Sequence, residues 1–212
     1  MPRRPILDLV WVYVAAWEVQ TGEVKQLAVG DRVERLGVRA TFWDLEPTRA
    51  DEGYVELPGP TPSGDLSPFY RLVGTVEWTC EPHSLVVRVG MFSVLAEPMP
   101  VGRADDAESE GLEPLMPEVR LPQVGERVAL VAGLSSMLHY EPDAFGYPDV
   151  SGPWTVRGLK VEHREVVPSP AYPGHSEPGR ILRVVEIPRM LRWADAPRRG
   201  HASYLLDLAP TS

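Results

Sequence analysis

Apolar and polar residues alternate with a period of two through most of this chain. Val10, Val12 and Val14 mark such an alternation near the start, the pattern of a strand with one buried face. Tyr70 to Trp78, Leu85 to Val89, Met91 to Ala96, Trp154 to His163, Ile181 to Val185 and Ser203 to Leu208 read as further strands. Turn-forming residues separate these short runs. Long amphipathic helices are hard to place anywhere, and only Arg189 to Ala194 suits a short one. The 23 prolines and 18 glycines reinforce this reading, because proline cannot donate to a helix or a central ladder.

The pattern also recurs. Val29-Gly30-Asp31-Arg32-Val33 returns 95 residues on as Val124-Gly125-Glu126-Arg127-Val128. At the same spacing Glu23-Val24-Lys25 matches Glu118-Val119-Arg120, Glu46-Pro47 matches Glu141-Pro142, and Val86 to Val89 matches Ile181 to Val184. Gly53-Tyr54 and Gly59 match Gly146-Tyr147 and Gly152 with a two-residue slip. The central Val-Gly-Asp/Glu-Arg-Val element reads as a tight turn launching a strand, with glycine supplying a positive φ. The expected fold is therefore mostly β, two tandem related small β-barrel-like halves (SH3-like or OB-like) with little helix. Residues 1–98 form the first half, with an extra strand candidate at Ile6 to Val19. Residues 99–117 form an acidic Pro/Gly-rich linker, and 118–212 the second half.

Composition narrows the setting. A net charge of −9 over 212 residues speaks against gripping a phosphate backbone, although Arg189, Arg192, Arg198 and Arg199 gather around Trp193. Cys80 is the single cysteine, so no intramolecular disulfide forms, and a reducing, cytoplasmic compartment is expected. Arg3 and Arg4 before the apolar stretch Ile6 to Ala16 resemble a signal peptide. Asp8 interrupts that stretch, however, and bulky Trp11 and Tyr13 suit a strand better. No stretch approaches the ~20 apolar residues of a bilayer-spanning helix.

Candidate chemistry is sparse. Cys80 and His83 place a thiol three residues from an imidazole, but nucleophilic catalysis or zinc would need further groups and no paired Cys/His cluster follows. Alternation puts His163 and Glu165 on one strand face, where a carboxylate could support a general base. Glu141, Asp143 and Asp149 around Gly146, and Asp51, Glu52 and Glu56 in the first half, make matched acidic loops whose spacing fits no calcium loop. Ser135-Ser136 lack the frame of a nucleophile elbow. No metal site or cofactor is implied. Among the tryptophans, Trp11, Trp78 and Trp154 are expected inside, whereas Trp43 and Trp193 lie beside turns and suit exposed contacts.

Four stretches, Trp17-Glu18-Val19-Gln20, Val29 to Val33, Gly74-Thr75-Val76 and Tyr204-Leu205-Leu206-Asp207-Leu208, resemble a family of uncharacterised actinobacterial proteins, a domain of unknown function. The resemblance covers about a quarter of the chain. The family carries a cysteine pair after the tryptophan, where this chain has Thr21-Gly22. The resemblance implies no activity.

The expected function is non-catalytic: a binding or adaptor protein that recognises a protein partner or small ligand through the surface between its halves. Trp43, Arg189, Arg192 and Trp193 are the candidate binding residues. The alternatives are a small-molecule enzyme using His163 and Glu165 at a barrel mouth, and single-stranded nucleic-acid binding through arginines and tryptophans. No membrane association is expected.

Overall fold

A computed structural model describes residues 10–22, 24–58, 68–80, 83–99, 120–137, 146–168, 176–191 and 201–211. The described chain is almost entirely strand. In order it forms β1 (Val10–Ala15), α1 (Ala16–Gln20), β2 (Arg32–Pro47), β3 (Gly53–Leu57), β4 (Phe69–Cys80), β5 (Ser84–Val89), β6 (Phe92–Pro98), β7 (Arg127–Met137), β8 (Gly152–Pro168), β9 (Ser176–Glu186) and β10 (His201–Pro210). Strict alternation makes β1 a strand: Val10, Val12 and Val14 are fully buried and the residues between them half-buried.

The N-terminal strand stops at Ala15 rather than running to Val19. There the Glu18 carboxylate turns back and accepts the Ala15 N–H at 2.8 Å, which satisfies a free donor of the single helical turn. Glu18 also accepts from the Ser136 hydroxyl at 2.8 Å. The short helix thus sits at 16–20 and not at 189–194. Arg189 instead bridges Ala28, and the Met190 N–H donates to the Leu27 carbonyl at 2.8 Å. Residues 192–194 lie outside the described set, as do 100–119, which hold most of the expected linker.

All ten strands belong to one sheet, in the order β3-β4-β5-β6-β2-β7-β1-β10-β8-β9, with further pairings β4–β7 and β2–β8. Strands from both parts of the sequence are interleaved. The two extra pairings make the ladder return on itself twice. One circuit runs β4-β5-β6-β2-β7 and back to β4; the other runs β8-β10-β1-β7-β2 and back to β8. Both contain β2 and β7. Each has one parallel contact, β2 with β6 and β1 with β7, and the rest are antiparallel.

The circuits agree at single residues. Gly30 and Gly125 both take a positive φ, 94° and 90°. Gly30 N–H donates to Val156 O at 2.8 Å and Gly125 N–H to Val76 O at 2.8 Å. Val156 N–H returns to Asp31 O and Val76 N–H to Glu126 O, both at 2.9 Å. Asp31 and Glu126 carboxylates each accept the N–H three residues earlier at 2.9 Å. Beyond these turns Val33 pairs with Trp154 as Val128 pairs with Gly74. The register then slips once in each circuit, past Glu77 in β4 and past Arg157 in β8. Val76 thus answers to Val156, β4 to β8, β5 to β10, and β6 to the N-terminal strand β1.

That correspondence differs from the sequence match of Leu85 to Val89 with Ile181 to Val184. The strand carrying the latter, β9, pairs with β8 at the end of the sheet.

The core lies inside the circuits. Trp154 is 1% exposed and its indole N–H donates to Leu36 O at 2.9 Å. Phe92 packs on it with ring centroids 5.2 Å apart. Burying an aromatic of this size removes roughly 150–250 Å² from water, so Trp154 is a main anchor. A smaller apolar cluster of Val86, Leu95, Met137 and Val150, with Trp78 and Tyr147 against it, lies outside the first circuit.

Candidate functional site

The second circuit departs from the first at one place. Counting from Val76 and Val156, Val86 answers to Asp207, Trp78 to Gly158, and Leu95 to Trp11. Val86 and Leu95 are buried at 3% and 0% exposure in a wholly apolar setting. Asp207, by contrast, is a carboxylate in the middle of an apolar strand.

The residues around it compensate in size. A Cβ at Gly158 would stand 3.3 Å from Trp11 Cη2 and 3.2 Å from Asp207 Cβ. The bare backbone at 158 therefore admits the Trp11 ring where the first circuit carries Trp78 opposite a smaller leucine. Lys160 Nζ lies 4.1 Å from the Trp11 ring centroid, within cation–π range. The Trp11 backbone N–H donates to Tyr70 Oη at 2.8 Å, joining β1 to β4 of the first circuit. Tyr70 is 1% exposed, and burial above all pushes its hydroxyl pKa far up, with Glu56 and Asp207 adding to the effect against the Trp11 hydrogen bond. Trp11, Lys160 and Asp207 from one circuit and Tyr70 and Glu56 from the other thus meet at a seam.

Asp207 is the anomaly in this group. Its Oδ1 is buried and no hydrogen bond from the chain reaches it. Desolvation raises its pKa, Lys160 and then Arg157 pull it down, and Glu56 raises it again. Lys160 rests on Trp11 rather than on the carboxylate. A desolvated, unpaired polar atom opposes folding by about 1–3 kcal/mol, and its symmetry-related position accepts valine.

The residues singled out from sequence fall elsewhere. His163 and Glu165 lie where the β8–β9 register shifts twice, between His163 and Arg164 and between Arg164 and Val166, so simple alternation does not hold. Each has its own arginine: His163 Nε2 is 3.5 Å from Arg183, and Glu165 is 3.2 Å from Arg180. Desolvation and then Arg183 hold the His163 pKa below its usual value. Between them Glu162, 1% exposed, is paired with Arg164 at 3.0 Å. Trp43 is half-buried and packs edge-on against Phe69, centroids 6.2 Å apart, instead of standing free. Arg189 is exposed. Arg192, Trp193, Arg198 and Arg199 lie outside the described residues.

Of the tryptophans expected inside, Trp154 is buried while Trp11 and Trp78 are half-buried; Trp17 is the exposed one, at 51%. Cys80 is exposed at the end of β4.

The acidic loops serve the scaffold. Asp149 accepts from Ser151 N–H and pairs with Arg35, and these contacts, Ser151 first, hold its pKa low. Glu52 accepts from Thr75 at 2.7 Å; Glu141 and Asp143 are not described. Among the described residues no three His, Cys, Asp or Glu side chains converge as a metal site would require. A half-open cavity of about 200 Å³ is lined by Arg88, Phe92, Asp149, Ser151, Trp154 and Thr211 among others. It falls below the ~300–1,000 Å³ of most ligand pockets, and neither His163 nor Glu165 lines it.

The exposed apolar side chains have their own focus. Val166, Leu182, Val184 and Val185 on β8 and β9 are 44%, 59%, 47% and 39% exposed. No helix among the described residues is long and apolar enough to cross a membrane.

No family model, curated protein or solved structure matches the chain.

Proposed function

We propose that this chain is a non-catalytic binding module made of two copies of one small five-stranded barrel that share β2 and β7. Its ligand site is the seam around Trp11, Lys160, Asp207 and Tyr70. The observation that carries this reading is the unpaired, desolvated Oδ1 of Asp207 at a position whose counterpart is buried Val86. Shared positions build the scaffold; an unshared, destabilising carboxylate beside an aromatic ring and an ammonium marks what the scaffold is for. The N-terminal strand matters to this design, because β1 supplies Trp11 and closes the second circuit.

A thermal-shift screen of metabolites and short peptides against the wild type and Asp207→Val tests the proposal. Ligands that raise the unfolding temperature of the wild type and leave the variant unmoved support it; hits that act equally on both place binding elsewhere.

A second reading has its own support. The apolar surface of β8 and β9, carrying Leu182, Val184 and Val185, suits a protein partner. Capture of a partner by the wild type and its loss in Leu182→Lys/Val184→Lys would establish that contact.

A further inference from the structure

The charges around the seam define what it can accept. Asp207 and Glu56 are acidic, and Lys160 and Arg157 basic, so the four formal charges balance; all three of the others act on the Asp207 carboxyl. A cationic ligand placed against Asp207 would meet Lys160 and Arg157. An anion placed against Lys160 would meet Asp207 and Glu56. A purely apolar group would cover Asp207 Oδ1 without giving it a donor, and a buried acceptor left unpaired is unfavourable. A neutral group carrying a donor and an acceptor side by side avoids all three penalties.

We infer that the seam binds a neutral amide, its N–H donating to Asp207 Oδ1 and its carbonyl accepting from the Lys160 ammonium, with the amide plane beside the Trp11 ring. The geometry fits the assignment. Lys160 touches the ring with one face of its ammonium and has three donor hydrogens, so it can point others at a carbonyl. Trp11 is fixed from behind: its backbone is held by Tyr70 and its ring lies against Gly158. The first circuit contains no such pair, since Val86 and Cys80 stand at the positions of Asp207 and Lys160. One site per chain follows.

This inference rests on the reading that the seam is the binding site, and it is tested with three probes of one shape: acetamide, acetate and acetamidinium. Each is titrated into the full-length protein while the Trp11 indole N–H is followed by nitrogen-15 NMR. Acetamide is expected to shift that resonance saturably, and acetate and acetamidinium at least about tenfold more weakly. Asp207→Val should abolish the acetamide response, whereas Asp207→Asn, which keeps a carbonyl acceptor at the same place, should retain it within a few-fold. A capped dipeptide binding about tenfold tighter than acetamide assigns the amide to a polypeptide; equal or weaker binding assigns it to a free small molecule. A stronger, Asp207-dependent response to either ion overturns the amide inference and leaves the seam as the site. No response at Trp11 to any probe overturns both.

Discussion

Replacing Asp207 with valine, the residue at the matching position 86, should make the protein more stable. In the wild type the carboxylate is half-buried, and its Oδ1 receives no hydrogen bond from the chain. A fully buried unpaired polar group opposes folding by about 1–3 kcal/mol, and partial exposure places Asp207 at the lower end. Against this stands the lost attraction of Lys160 and Arg157, which act on the carboxyl through a largely solvated surface and contribute about 0–1 kcal/mol. Valine also adds apolar burial. The net gain is about 1 kcal/mol, or roughly 2–4 °C for a protein of this size.

The sign of the pH dependence follows from the raised pKa. The folded state holds the Asp207 proton more tightly than the unfolded chain, whose value is near 3.8. The penalty is therefore fully present above the folded pKa and disappears as pH falls below the unfolded one. Urea or thermal unfolding of both proteins from pH 7.5 downward should show an advantage of the variant that shrinks on acidification. A variant less stable than wild type at pH 7.5, or an advantage independent of pH, would refute this reasoning and make Asp207 an ordinary structural residue.

Other substitutions probe the scaffold by the same unfolding measurements. Gly30→Ala and Gly125→Ala should each destabilise by about 1–3 kcal/mol, because both sites hold a φ near +90°; the two losses should agree closely if the turns are equivalent, and a large difference would deny that. Gly74→Ala should be far worse than either, since its Cβ would run into the Arg88 carbonyl and stand 2.6 Å from a Val87 methyl carbon; a folded variant of wild-type stability would show that β5 does not cross β4 there. Arg164→Ala should cost about 3–5 kcal/mol by stranding the buried Glu162 carboxylate, and a loss below about 1 kcal/mol would show that Glu162 finds water instead. Leu182→Lys/Val184→Lys should leave stability within about 0.5 kcal/mol, because both side chains are already exposed.

Much of this architecture is legible in the residues. Period-two alternation placed β1, β4, β5, β6, β8 and β10 near their observed positions, and Val-Gly-Asp/Glu-Arg-Val identified two turns whose hydrogen bonds coincide atom for atom. Pairing was not legible, because a strand carries no local record of which neighbour it takes. The match of Val86 to Val89 with Ile181 to Val184 joined β5 to β9 by sequence, while hydrogen bonding gives the β5 place to β10 and the β6 place to the N-terminal strand. The helix at 16–20 was missed because five residues show too little periodicity, and its cue, Glu18 reaching back to Ala15, lacks the usual Ser or Thr at the cap.

The seam was hidden for a related reason. Asp207 in Tyr204-Leu205-Leu206-Asp207-Leu208 looks like an ordinary outward residue of an alternating strand. Its oddity emerges only beside Val86, and that comparison needs the observed strand correspondence. Trp11 was expected as core, and its half-buried ring instead carries Lys160. His163 and Glu165 drew attention through proximity in sequence, which two register shifts and two arginines undo.

The most direct measurement is to purify the wild type and Asp207→Val in parallel from cells and compare what each carries, by mass spectrometry of the small molecules and peptides released on denaturation. An amide-bearing compound enriched with the wild type and absent from the stable, folded variant is the predicted result. Identical extracts from the two proteins, or a compound retained by both, would contradict the assignment of the seam as the binding site.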